Sequence, residues 1–149
     1  MDALQSDERY LEHDRIRQHT APSINERIDE QARARVDASI EQGPLAVQQR
    51  LRKLDEEWDV DRALMVNFAL LGGAAFGIGM ARFAKPRLFS ERPKGFLYLF
   101  GAQLGFLLLH GVVGWCPPAS LFRRLGFRTQ REIEAERAEL KAALQLLEP

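Results

Sequence analysis

The residues ALMVNFALLGGAAFGIGMA at 63–81 and GFLYLFGAQLGFLLLHGVVGW at 95–115 decide the fold. The first run holds one strongly polar side chain, Asn67, and the second holds two, Gln103 and His110. As helices rising ~1.5 Å per residue, both match the ~30 Å hydrocarbon core of a bilayer. Leu64, Val66, Phe68, Leu70, Leu71, Phe76 and Ile78 each favour insertion of the first by roughly 0.3 to 0.6 kcal/mol. Gly72, Gly73, Gly77, Gly79 and Asn67 oppose it, and the second run is the richer in Leu and Phe. A soluble chain this short would struggle to surround two such helices. The expectation is an all-α protein: a two-span transmembrane helical hairpin with amphipathic helical arms at both ends.

Between the runs lie Arg82, Lys85, Arg87, Arg92 and Lys94 against Glu91 alone, with Pro86 and Pro93 keeping the connection non-helical. So short a link makes the spans antiparallel neighbours. Working outward, the segments expected are a polar, frayed or disordered stretch over 1–22 and amphipathic helices over 23–58. A first span follows over 59–82, a basic loop over 83–94 and a second span over 95–115. An interfacial segment and a C-terminal amphipathic helix fill 116–149.

The arms carry their own signals. Ser23-Ile24-Asn25-Glu26 has the form of a capping box, and Ile24, Ile28, Ala32, Val36 and Ile40 recur every fourth residue after it. Gly43-Pro44 closes that helix and opens another, in which Val47, Leu51, Leu54 and Trp58 repeat with helical period. Cys116-Pro117-Pro118 stops the second span, and Leu121-Phe122 with Arg123-Arg124 reads as interfacial. Thr129-Gln130-Arg131-Glu132 is a second capping box, opening a helix with Ile133, Leu140, Leu144 and Leu147 on one face. Such arms either lie on the membrane surface or form a cytoplasmic bundle.

The 149 residues carry 21 Lys and Arg against 21 Asp and Glu. Zero net charge, with no aromatic–basic stripe, argues against a nucleic-acid partner. Cys116 is the only cysteine, which excludes an internal disulfide and any multi-cysteine metal site. Residues 1–20 have no apolar core of a leader's length, so no cleavable signal peptide is expected and the N-terminus is expected in the cytoplasm. No phosphate loop, metalloprotease helix or nucleophile elbow occurs. The expectation is a non-enzyme with no catalytic residue, metal, cofactor or identifiable small-molecule substrate.

Two stripes of small residues stand out. Ala69, Gly73, Gly77 and Ala81 are spaced by four along the first span, and Gly101-x-x-x-Gly105 sits in the second. This spacing lets helix backbones approach closely in lipid, so the stripes are expected to pack span against span, and Leu at Gly77 or Gly105 to force them apart. Gln103, His110 and Gly114 lie nearly opposite Gly101 and Gly105 on the helical wheel. Polar groups are costly in hydrocarbon, so this second face is expected to need a further partner, in a homo-oligomer or a larger membrane complex. Trp58, Trp115, Cys116, Pro117 and Pro118 read as anchors at the membrane interface. Asp59, Asp61 and Arg62 read as a charge set at a helix N-terminus.

Trp58-Asp59-Val60-Asp61-Arg62, Gly114-Trp115-Cys116-Pro117-Pro118 and Leu121-Phe122-Arg123-Arg124-Leu125-Gly126 together resemble the YgaP-like transmembrane domain family, over roughly residues 44–140. The Trp-Cys-Pro ending is the most specific piece. The resemblance implies a small hairpin in the bacterial inner membrane with both termini in the cytoplasm. Some relatives fuse the hairpin to a rhodanese sulfurtransferase domain; none stands here, and Cys116 is not that enzyme's cysteine. Lys and Arg counts agree weakly with cytoplasmic ends, with eight in the flanks against five in the loop. The function expected is that of an accessory, assembly or scaffold subunit in contact with the lipid bilayer. The alternative is a redox or sulfur-relay component using Cys116 or a His110-bound cofactor.

Overall fold

The computed structural model describes residues 10–84 and 94–147. Among these the structure is helical: α1 (Arg15–Gln18), α2 (Pro22–Glu41), α3 (Pro44–Glu56), α4 (Val60–Ala84), α5 (Lys94–Val113), α6 (Pro117–Arg124) and α7 (Gln130–Leu147). The two longest apolar stretches, Val60–Ala81 and Gly95–Val113, are long and apolar enough to cross a membrane. Residues 83, 84 and 94, assigned to the loop by sequence, are helical, and the rest of that loop lies outside the described residues. Helix α5 ends at Val113, two residues short of the expected boundary, because Gly114 turns the chain with φ +82°.

The arms do not lie apart on a surface. α2, α3 and α7 fold into one bundle around Val36, Val47, Leu54, Ile133 and Leu140, with Ile40, Leu51 and Leu144 against them. Those residues belong to the periodic stripes of the three helices, so each helix buries the face its sequence marks as apolar. Gly43, at φ +92°, makes the turn between α2 and α3, and Pro44 opens α3 as its spacing implies. The expected box at Ser23 is not formed. α2 starts at Pro22, so the cap position falls on Ala21, which has no capping side chain; Ser23 lies inside the first turn, and Ile24 N and Asn25 N donate to Ala21 O. The second box is formed in both directions: Thr129 N donates to Glu132 Oε2 at 2.8 Å and Glu132 N to Thr129 Oγ1 at 3.3 Å.

A second core joins this head to the long helices. Val60, Leu64 and Phe68 at the start of α4 pack with Cys116 and Ala119, and Ile16, Phe122 and Phe127 close around them. The backbone is stitched at the same place, where Val60 N donates to Arg128 O at 2.8 Å. Residues 10–20, expected to be frayed or disordered, are ordered because Ile16 and the Asp14 cap bind them to this junction.

α4 and α5 run side by side in opposite senses. Asp61 meets His110, Gly72 meets Phe100 and Gln103, and Gly79 meets Phe96 and Leu97. Away from this contact their surfaces are bare and apolar: Leu70, Leu108 and Val112 are 66–70% exposed, and Met65, Leu71, Leu99 and Leu104 are exposed with them. An apolar surface this extensive is not left to water; it marks contact with lipid or protein.

Candidate functional site

Antiparallel packing brings the first turn of α4 beside the last turn of α5, and this places Asp61 against His110. The pair is joined through His110 Nε2 and Asp61 Oδ1 at 2.8 Å. A carboxylate oxygen accepts, so Nε2 carries the proton. Asp61, an acid in the first turn of α4, complements the dipole of that helix. His110 is 9% exposed, while Asp61 keeps part of its surface in solvent. The other ring nitrogen, Nδ1, is buried with no hydrogen-bond partner.

The pair sits in the wall of a cavity of about 370 Å³, whose other walls include Tyr10, His13, Arg15 and Arg131. Arg15 Nη1 donates to the carbonyls of Gly111 and Val112, each at 3.1 Å. Those are among the carbonyls that a helix end leaves unpaired. Gly114 permits this approach twice over. Its φ of +82° disfavours a side chain, and a Cβ there would stand 2.5 Å from that of Arg15. Arg131 donates to Tyr10 O at 2.9 Å and lies over the Tyr10 ring. Chemically, the site offers an imidazole oriented by a carboxylate, with its second nitrogen lacking a hydrogen-bond partner.

The polar face of α5 is therefore turned inward, and the expected roles of the two faces exchange places. Gln103 meets the Gly72 backbone, His110 meets Asp61, and Gly114 meets Arg15, so the chain itself covers the face for which an outside partner was expected. The small-residue stripes point outward. Ala69 and Ala81 are exposed, and a Cβ at Gly73, Gly77, Gly101 or Gly105 would meet nothing within 4 Å. Close approach of α4 and α5 is provided by Gly72 and Gly79, where a Cβ would stand 3.2 Å from Gln103 Oε1 and 2.9 Å from Leu97 Cδ2. The physical reason lies in His110, whose Nε2 finds Asp61, and in Arg15 at Gly114, which together turn α5 by about half a revolution from the expected orientation. Gln103 Oε1 is buried there without a hydrogen-bond partner.

Of the expected anchors, Trp58 and Trp115 are partly exposed at the head ends of α4 and α5, and Arg62 stacks over Trp58 with 4.7 Å to the ring centroid. Pro117 and Pro118 open α6. Cys116 is not a surface anchor. It is fully buried as the cap of α6, its Sγ accepting from Ala119 N at 3.4 Å. Burial pushes its thiol up, the Ala119 hydrogen bond opposes this, and the charge of Asp61 adds to the rise. Such a thiol is a poor nucleophile.

A buried charge network escapes the sequence reading. Arg123, 1% exposed, pairs with Glu132 through bonds of 2.6 and 2.7 Å, and Arg17 joins the same carboxylate. Arg128, 2% exposed, grips Glu57 at 2.7 and 2.8 Å and also Glu136, which Arg50 reaches at 2.6 Å. Arg123 and Arg128 thus neutralise carboxylates inside the head and do not act as free flanking charges. The one signal in the sequence is that Glu132 and Glu136 fall four apart beside the apolar Ile133–Leu140 stripe.

No protein-family model matches the chain, and no curated protein or solved structure matches it significantly.

Proposed function

We propose that the protein is a two-span hairpin of the bacterial inner membrane, its two arms joined as one cytoplasmic head, serving as a non-enzymatic accessory or assembly subunit. The observation that carries this reading is the union of both arms in a single core at one end of two long helices with bare apolar flanks. Two spans with both ends on one side satisfy that union without drawing the head through the bilayer. The outward stripes Ala69-Gly73-Gly77-Ala81 and Gly101–Gly105 supply close-packing surfaces for a second copy or a larger membrane complex. The YgaP-like resemblance agrees with the address and the orientation. A redox or sulfur-relay role has less support, because the Cys116 thiol is buried and one nitrogen of His110 is already taken by Asp61.

Single cysteines introduced by Leu45→Cys, Ser90→Cys and Leu146→Cys, each with Cys116→Ala, test this on intact cells with a membrane-impermeant thiol reagent. Leu45 and Leu146 are exposed on the head. The expected pattern is labelling at position 90 alone. Equal labelling of all three sites, or a different response at 45 and 146, would exclude a two-span hairpin.

A further inference from the structure

Three guanidinium groups converge on one small cleft of the head. Arg35 of α2, Arg50 of α3 and Arg128 before α7 line a space of about 140 Å³ together with Gln31, Glu57 and Gly126. The carboxylates of Glu57 and Glu136 face them. Arg128 commits all three of its nitrogens to these two, and Arg50 binds Glu136 at 2.6 Å and Glu57 at 3.4 Å. Arg35 is left over. It approaches Glu136 only to 3.8 Å, and its Nε is buried with no hydrogen-bond partner, while its side chain as a whole is 36% exposed at the mouth of the cleft. The cluster holds one cation more than it holds carboxylates. Burial and then the like charge of Arg128 hold the Arg35 guanidinium below its ordinary value, against the pull of Glu136. An arginine does not relieve such crowding by losing its proton; an anion entering the cleft would balance the extra charge and give Arg35 a partner.

We propose that this cleft binds a phosphate group through Arg35 and Gln31, drawn by the one positive charge that Glu57 and Glu136 leave unbalanced. The donor fork of a guanidinium matches phosphate oxygens two at a time, which an ammonium cannot do. The group is either free phosphate or the headgroup of an acidic lipid. The second source rests on the membrane reading: Glu57 and Arg128 stand at the root of α4, where Val60 N bonds to Arg128 O, at the depth lipid headgroups would occupy. The first source does not depend on that reading.

The test is calorimetric titration of the full chain in non-ionic detergent with inorganic phosphate, at constant ionic strength against chloride. One-site saturable binding is expected. Arg35→Gln should weaken it by at least about tenfold, while the exposed Arg33→Gln leaves it unchanged. Arg35 makes no hydrogen bond that folding requires, and circular dichroism checks that the variant is folded; Arg35→Lys, which keeps the charge without the fork, should fall between. In nanodiscs, loss of phosphate binding with phosphatidic acid but not phosphatidylcholine identifies the lipid source, and persistence in both identifies free phosphate. Absence of saturable phosphate binding in detergent would overturn the proposal, as would undiminished binding by folded Arg35→Gln.

Discussion

Arg123 and Glu132 face each other through two parallel hydrogen bonds, with both side chains almost wholly withdrawn from water. The pair links the end of α6 to the first turn of α7, and Asn25 Oδ1 accepts a further bond from Arg123 at 2.7 Å. The chain leaving α5 is thereby fastened to the N-terminal arm. A buried pair of this kind contributes little beyond an apolar replacement, yet removing one member strands a charge.

Arg123→Met should therefore destabilise the head, by less than the ~3–5 kcal/mol of a fully stranded charge because Arg17 still reaches Glu132. Arg123→Met with Glu132→Leu should recover part of that loss, less the cap that Glu132 gives Thr129. Thermal unfolding in detergent, followed by circular dichroism, measures both. Equal stability of the single and double variants would remove the buried-charge explanation.

Acid should loosen the same head. Burial alone pushes the Glu136 carboxyl up, but hydrogen bonds and charges from Arg50 and Arg128 outweigh it and hold the group below its ordinary value of 4.5. A carboxyl lowered by folding adds stability that is complete above the unfolded value and disappears as pH falls through the folded one. The unfolding midpoint should hold down to about pH 5 and drop below it. Glu136→Gln should be less stable near neutrality and show a shallower acid decline; an unaltered acid slope would assign the effect to other carboxyls.

Orientation of the long helices separates two glycines five residues apart. Gly72→Leu should lower the protease resistance of α4 and α5 in detergent, because the side chain would drive Gln103 and Phe100 away. Gly77→Leu should leave resistance unchanged, its surroundings being open, and should act only on self-association. Identical behaviour of the two variants would contradict the packing of α4 through Gly72 with Gly77 turned outward.

Replacing Gln103 and His110 together by leucine should loosen the contact between α4 and α5 and leave oligomer size unaltered, since both side chains face the chain's own helices. Cross-linking of cysteines placed at Phe76 and Phe100, whose ring centroids stand 5.3 Å apart, with Cys116→Ala, reads the first effect, and size-exclusion with light scattering the second. Loss of an oligomer, with the helix pair intact, would return this face to an outside partner.

Cys116 should react with maleimide at least about tenfold more slowly in the folded protein than after denaturation, because burial and the neighbouring Asp61 keep it protonated. Labelling at the rate of a free thiolate near neutral pH would revive the sulfur-relay alternative.

The sequence by itself determined the helices and their apolar faces. Period and punctuation suffice for that: Gly43-Pro44, the Thr129–Glu132 box and the stripes through Val36, Val47 and Leu140 are local features, and local backbone physics decides them. It also marked the two apolar runs, and it placed Gly101 and Gly105 correctly on the opposite side of α5 from Gln103 and His110. Only the tertiary structure decided which of those sides faces inward. Small residues and polar residues each offer a reason for helices to meet, and the choice turned on Asp61 and Arg15, distant in the chain but adjacent to His110 and Gly114 in space. The same holds for Arg123, Arg128, Glu132 and Glu136. A charged side chain looks alike in sequence whether solvated or buried; what separates the two is a counter-charge that folding brings from another helix.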